Sequence, residues 1–243
     1  MIEPNNTGTV SDDSQVHKTK AKELIQYGTG HYLAENLKLP LLVPTFDRQK
    51  SNFKMYTHAL DSDTLKNEKG KLKRIDLQLL AMIEDAKDKL KNRNIEIREK
   101  VFLYGFSASG NFVNRFSIIH PKVVKAVTAG GVNGMPILPI KEINGLELPY
   151  HIGVNNLDEI IDQKFNVGEY KKVAQLIFMG ENDNNDTLPF DDAFSEKERS
   201  IVKEVLGDEM KERWQISKKY IKNKILMLHL LLIKMLDILS MKP

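Results

Sequence analysis

The sequence predicts an α/β fold, in which helices cover both faces of a parallel β-sheet to give three layers. Short apolar runs typical of buried strands, such as residues 101–104 and 123–131, alternate along the chain with longer segments in which apolar residues recur at helical spacing. The 243 residues are enough for one such domain with a large core. We therefore expect a single domain over residues 1–243.

The composition excludes several classes of function. The formal net charge is +3, from 36 basic and 33 acidic side chains, and no basic block is interleaved with aromatic residues. A nucleic acid partner is therefore not expected. The absence of cysteine excludes disulfides, a cysteine nucleophile and thiolate metal sites. No pair of histidines has the spacing or the acidic partners of a metal site, so we expect no metal.

Neither end of the chain predicts insertion into a membrane. The first six residues lack both a basic start and an apolar segment, so we expect no secretory signal and take a cytoplasmic location as the default. The apolar run 225–233 is shorter than a membrane span and contains His229. The sequence leaves the oligomeric state open.

The first half of the chain predicts two long helices and one strand. Polar turn residues at 4–8 lead to a helical pattern over about 18–38, and 41–45 is typical of a short buried strand. The loop that follows, with Arg48, Tyr56 and His58, is expected on the same rim as the candidate site. His58 there either contacts a substrate or, as is more common for such a position, is an exposed loop residue. A second helix is predicted over about 72–91.

The second half continues the alternation. The segment 132–170 is rich in proline and glycine and too irregular for one helix, so we expect a cap over the site. Residues 173–179 predict a further strand. Ser195 with Glu198 three residues later predicts a capping box that opens a helix ending at 206, and another helix is expected over about 208–220. The tail 224–243 is atypical, because it consists mainly of Leu, Ile, Met and Lys and lacks turn signals.

The most informative stretch is the strand 101–104 with the residues that follow it, Gly105-Phe106-Ser107-Ala108-Ser109-Gly110. In the pattern G-x-S-x-G, a serine occupies a sharp turn between a strand and a helix, and small neighbours allow the chain to bend. Apolar residues at helical spacing follow over 112–119, so strand, turn and helix occur in the required order. The alternative is an ordinary turn between two buried elements.

Together with the acidic loop Gly180-Glu181-Asn182-Asp183, these residues resemble the α/β-hydrolase family, in particular bacterial serine esterases, over residues 4 to about 220. The resemblance implies that Ser107 is a nucleophile that attacks an ester carbonyl and forms an acyl-enzyme. It implies that Asp183 orients a catalytic histidine, with Asp186 in the same loop as the second candidate.

The same resemblance implies an oxyanion hole and a class of substrate. The donors are the backbone N–H of Ala108, which follows the nucleophile, and that of Asn6, in the first loop of the chain. The implied substrate is a small-molecule ester or related acyl compound that binds beneath the segment 132–170. No cofactor is needed.

The sequence departs from the family pattern at both ends. The strands that precede the first loop in the family would have to fit into residues 1–3, so we expect the first strands to be missing and buried strand edges to be unpaired. The last strand and its histidine turn are also expected to be missing, because 224–243 replaces them. His229 remains as a candidate base, but a histidine in a leucine run is also typical of a packed helix.

Our hypothesis for this tail is a frameshift between about residues 219 and 224. Because each amino acid has several codons, another reading frame of residues 235–238 can encode Val-Gly-His, and the residues just upstream can encode Phe-x-x-Tyr-Lys-Asn. The catalytic histidine would then be encoded out of frame. The sequence thus predicts either a serine hydrolase of carboxylesterase type or a catalytically dead, truncated remnant that lacks the triad histidine.

Overall fold

The computed structural model describes residues 1–222 and 228–233, the latter by their backbone. A parallel sheet lies between helices, and two short strands form a separate hairpin. The helices are α1 (Ser14–Tyr27), α2 (Thr29–Leu37), α3 (Ser62–Lys66), α4 (Ile75–Lys91), α5 (Ala108–Ile119), α6 (Leu157–Ile161), α7 (Val167–Tyr170), α8 (Glu196–Leu206) and α9 (Met210–Lys222). The strands are β1 (Val101–Phe106), β2 (Val124–Gly130), β3 (Glu142–Ile143), β4 (Leu146–Glu147), β5 (Ala174–Gly180) and β6 (Leu228–Ile233).

The main sheet has the order β1-β2-β5-β6, and all its neighbouring strands are parallel. This confirms the predicted fold class. The structure differs from our expectation at the last strand, which we had predicted to be missing. Residues 228–233 pair with β5 from Gln175 opposite Leu228 to Gly180 opposite Ile233. Pairing here satisfies backbone groups along the β5 edge.

The other side of β1 is paired by the first residues of the chain. Ile2 forms parallel bridges to both Leu42 and Leu103. Its N–H donates a 2.8 Å hydrogen bond to the Phe102 carbonyl, and its own carbonyl accepts one of 2.9 Å from the Tyr104 N–H. The prediction of unpaired strand edges is therefore wrong at this position. The predicted strand 41–45 is reduced to the single bridge at Leu42, whose N–H donates to the Met1 carbonyl and whose carbonyl accepts from the Glu3 N–H.

The predicted helix over 18–38 is two helices that meet at Gly28. Gly28 has φ −72° and ψ 160°, which is extended backbone, and its N–H still closes α1 by donating to the Leu24 carbonyl. The capping box is confirmed, since the Ser195 side chain accepts from the Glu198 N–H and the Glu198 carboxylate accepts from the Ser195 N–H.

The segment 132–170 and the tail 224–243 are the two parts of the chain for which the sequence predicts unusual roles. The segment 132–170 forms the β3–β4 hairpin, α6 and α7, and its apolar side chains join the main core, including Leu138, Tyr150 and Leu157. Its role as a cap stays a prediction. The tail outside 228–233, including the region of the predicted out-of-frame histidine at 235–238, lies outside the described residues. Among the helices that the structure describes, none is long and apolar enough to cross a membrane.

Candidate active site

Ser107 stands alone between β1 and α5, at the carboxyl end of the parallel sheet. Its backbone has φ 59° and ψ −126°, a conformation that costs a non-glycine residue about 1–3 kcal/mol. Its N–H donates a 2.9 Å hydrogen bond to the Gly130 carbonyl at the end of β2. The strand, the sharp turn and the helix expected for a nucleophile elbow are thus all present.

Glycine is required on both sides of this turn because the backbone passes very close to its neighbours. A Cβ on Gly105 would lie 2.2 Å from the Ser109 carbonyl oxygen, and a Cβ on Gly110 would lie 2.3 Å from the Gly130 carbonyl oxygen. The Ser109 hydroxyl braces the bend, since it donates to the Phe106 carbonyl at 2.9 Å. The chain therefore turns within a few residues and leaves Ser107 partly exposed.

Ser107 borders a cavity of about 710 Å³, large enough for a small organic molecule. The walls come from the first loop, the loop after Leu42, helix α5 and the loop after β5. Asn133 is the one member of the segment 132–170 among the described lining residues, so that segment contributes little to the wall. Aromatic side chains of the wall are Phe53, Tyr56, Phe190 and Phe194.

The two residues predicted as oxyanion donors, Ala108 and Asn6, lie beside Ser107 in the cavity wall. Ala108 is the first residue of α5, and both Ala108 and Asn6 line the cavity. Within the described chain neither N–H donates to another residue. The Asn6 side chain contacts the Phe106 carbonyl at 3.4 Å, and the buried Asn5 fixes the same loop by bonding both backbone groups of Phe46. Ala108 and Asn6 therefore both lie in the wall that Ser107 borders, with backbone N–H groups that make no bond within the described chain.

The predicted acid loop follows β5, and its two aspartates have different partners. Asp183 accepts a 3.0 Å hydrogen bond from the Asn185 N–H within a local turn. Asp186 lies 2.7 Å from the guanidinium of the buried Arg213 and also accepts from the Leu188 N–H. Neither aspartate lines the cavity with Ser107, whereas Asn185 does. Asp186 is engaged by a structural partner, which leaves Asp183 the less constrained of the two.

No protein-family model and no curated protein matches the chain. Among solved structures, it is similar to LpqC, a poly(3-hydroxybutyrate) depolymerase from Bordetella parapertussis. The likeness has a TM-score of 0.56 at 15% sequence identity, and it covers 96% of this chain and 71% of the depolymerase chain. The chain has the α/β-hydrolase fold. At this identity the likeness describes the fold, and the chemistry has to be argued from the residues.

In an α/β-hydrolase fold the triad base follows the acid along the chain. His229 is the one histidine that follows Asp183 in the sequence. Its backbone pairs opposite Leu176, four residues before the end of β6 at Ile233, which is about 13 Å from the carboxyl edge of the sheet. Within residues 1–222, no histidine lines the cavity. The described residues therefore present a nucleophile position without an adjacent base.

His58, which we expected on the rim as an exposed loop residue or a substrate contact, is instead 1% exposed. Its Nε2 lies 2.8 Å from the Phe46 carbonyl oxygen, and its ring packs edge-on against His17. Burial lowers its pKa to about 3, so it is neutral at physiological pH. The expectation was wrong because the side chain turns into the core between two loops, whereas the neighbouring Tyr56 lines the cavity as the position of this loop predicts.

The charged residues of the cavity wall are mostly paired. Arg48 forms an ion pair with Asp192 and lies over the Tyr56 ring, with 3.8 Å from its guanidinium carbon to the ring centre. Asp61 caps α3 by accepting from the Thr64 N–H. Burial raises the pKa of Asp61 to about 6, even though hydrogen bonds from Thr64 and Tyr56 act in the opposite direction.

Arg115 is the lining residue that the sequence interpretation missed. It lies on α5 among apolar residues, is 5% exposed and donates one 2.8 Å hydrogen bond from Nη1 to the Ala59 carbonyl. Burial lowers the pKa of its guanidinium. Its spacing carried a usable signal, because Ser107, Asn111 and Arg115 recur every four residues and therefore share one helical face.

Proposed function

We propose that this chain is a serine hydrolase of carboxylesterase type that acts on a small-molecule ester. The observation that carries the proposal is the backbone of Ser107, which has φ 59° between a buried parallel strand and the buried helix α5 and opens onto the 710 Å³ cavity. Such a turn is maintained against its conformational cost, which is typical of functional positions. The protein of similar fold named above is a poly(3-hydroxybutyrate) depolymerase, which is compatible with this proposal.

In this proposal Ser107 Oγ attacks the ester carbonyl, the alcohol leaves, and water hydrolyses the acyl-enzyme. The N–H groups of Ala108 and Asn6 stabilise the negative oxygen that forms during both steps. Asp183 orients the base that accepts the Ser107 proton, with Asp186 as the second candidate. Both roles rest on the position of the loop after β5.

The second candidate is a chain that retains the binding cavity but has lost efficient turnover, as in a truncated or frameshifted remnant. The observation that favours it is the lack of a histidine in the cavity wall over residues 1–222, together with the position of His229 well before the end of β6. Without a base, the oxyanion donors and substrate binding leave a residual acceleration of roughly 10³-fold over water.

One experiment separates the two candidates. Purified protein is treated with a fluorophosphonate, which bonds to activated serines, and the modified peptide is located by mass spectrometry. In parallel, hydrolysis of p-nitrophenyl butyrate is measured for the wild type, for Ser107→Ala and for the control Ser200→Ala, which alters a hydroxyl on the exposed surface of α8.

Modification at Ser107, with turnover lost in Ser107→Ala and kept in Ser200→Ala, supports the hydrolase. A folded protein that is neither modified nor active, or that is equally active in both variants, contradicts the hydrolase. A folded protein that is neither modified nor active supports the remnant.

A further inference from the structure

The cavity beside Ser107 is lined by a buried cation that has no ion-pair partner among the described residues. Arg115 is 5% exposed and forms part of the cavity wall. A guanidinium can donate five hydrogen bonds, and among the described residues Arg115 donates only the one to the Ala59 carbonyl. Nε of Arg213 is fully buried without a hydrogen-bond partner, whereas Nε and Nη2 of Arg115 are not among the described polar atoms buried in this way. Donors are therefore available to a molecule in the cavity.

No acidic residue of the wall forms an ion pair with this cation among the described residues, although Asp61 of the wall and Glu198 outside it favour its charged form electrostatically. Asp192 is paired with Arg48, and Asp191 is paired with Arg199 at 2.8 Å. Asp61 accepts from backbone N–H groups instead, and no carboxylate in the described part of the chain forms an ion pair with Arg115. Burying an unpaired cation is costly, and a carboxylate bound bidentately would offset that cost.

Arg115 and Ser107 are also placed to hold the two ends of one molecule. Ser107 directly precedes α5, Arg115 lies eight residues later on that helix with Asn111 between them, and all three line the cavity. Eight residues of helix span about 12 Å along the axis. Because long helical side chains lean toward the helix N-terminus, we expect the guanidinium to lie nearer to Ser107 than this spacing.

We propose that Arg115 binds a free carboxylate of the ligand, so that the preferred substrates are esters that carry a carboxylate less than about 12 Å from the scissile carbonyl. A monoester of a short dicarboxylic acid has this chemistry. The planar fork of the guanidinium matches a carboxylate, and the flanking aromatic wall accepts the aliphatic chain between the two ends. The assignment of the scissile end rests on the proposed function, whereas the anion site rests on Arg115 itself.

The test compares two ligands that differ in this charge and in one methyl group. Monomethyl adipate and dimethyl adipate are titrated calorimetrically into Ser107→Ala protein, in which the ester stays intact. We expect the monoester to bind about tenfold to a hundredfold more tightly, as is typical of hydrogen bonds to a charged group. Equal affinities, or no measurable binding of the monoester, overturn the proposal without any substitution of Arg115.

Variants then locate the site. In Ser107→Ala protein that also carries Arg115→Met, the preference for the monoester should disappear, while Arg115→Lys should keep part of it. The control Arg93→Met removes an exposed arginine that lies outside the cavity wall and should change nothing. A preference that survives in folded Arg115→Met protein overturns the assignment to Arg115.

The outcome is separable from that of the proposed function. Phosphonylation of Ser107 without any preference for the monoester leaves the hydrolase standing and removes the anion site. A preference that depends on Arg115 in a protein whose Ser107 stays unmodified retains the anion site as a binding site and removes the hydrolase.

Discussion

The backbone N–H of Ser107 donates a 2.9 Å hydrogen bond to the carbonyl oxygen of Gly130, so the turn at the candidate nucleophile is fixed by the end of the neighbouring strand. The same carbonyl oxygen lies 2.3 Å from the position that a Cβ on Gly110 would occupy. One atom of β2 therefore determines both where the turn lies and which residue is tolerated after it.

Gly110→Ala is expected to lower the free energy of unfolding by about 1–3 kcal/mol, because the new methyl overlaps a backbone oxygen that cannot rotate away. The gain in helix propensity of up to about 1 kcal/mol offsets only part of this loss. Urea denaturation measures the difference. Gly168→Ala on α7 is the matched control, since its Cβ would meet only the Asn166 side chain at 3.6 Å. A Gly110→Ala protein as stable as Gly168→Ala would contradict the geometry of the turn.

Asp76 at the start of α4 predicts a loss of stability in acid. Its side chain is fully buried and accepts from Arg74 at 2.8 and 2.9 Å and from His120 at 2.9 Å. Burial raises its pKa, but the hydrogen bonds and charges of Arg74 and His120 outweigh this and lower it to about 2. The resulting stabilisation, of about 2–3 kcal/mol, is present above the unfolded pKa near 4 and is lost as the pH falls toward 2.

Unfolding by urea at a series of pH values tests this expectation. Asp76→Asn should be less stable than the wild type at pH 7, and the difference between the two should shrink as the pH falls from about 4 to 2. Asp85→Asn on the same helix removes an exposed partner of Lys89 and should cost no more than about 0.5 kcal/mol. A constant difference between wild type and Asp76→Asn across the acid range would show that Asp76 does not titrate as described.

Glu3 predicts the opposite dependence on pH. It is 5% exposed, and burial raises its pKa to about 7 even though the Gly30 N–H donates a 3.1 Å hydrogen bond to it. A carboxyl whose folded pKa is raised contributes stability below the unfolded pKa of about 4.5, and this contribution is lost as the pH rises toward 7. The loss amounts to about 3 kcal/mol.

Glu3→Gln should therefore gain stability relative to the wild type between pH 4 and pH 8, by an amount of this order. Thermal unfolding in buffers of matched ionic strength provides the measurement. Glu23→Gln, which changes an exposed carboxylate on α1 paired with Lys20, should show no such trend. If the two variants follow parallel curves, Glu3 is ionised in the folded protein throughout this range.

Elements with a local cause were predictable from the sequence. The glycines around Ser107, the alternation of apolar runs and the Ser195–Glu198 capping box each determine the structure within a few residues, and the structure confirms these elements. The break at Gly28 was not predicted, because the apolar periodicity continues through it and only the backbone angles of one residue end the helix.

Features that join distant parts of the chain were missed. The pairing of Ile2 with β1 links residues about a hundred positions apart, and no pattern within three residues predicts it. His58 was placed in the site because its loop lies there, yet the direction of its side chain depends on contacts with Phe46 and His17. The strand at 228–233 was not predicted, because its composition suits either a helix or a strand.

The sequence by itself determined the fold class and the position of the candidate nucleophile, because both follow from backbone preferences that act between near neighbours. Only the tertiary structure decided which charges line the cavity and which of them keep a partner. Among the described residues Arg115 has no ion-pair partner, since Asp192 and Asp191 of the same wall are paired with Arg48 and Arg199, and that balance exists only when the chain is folded.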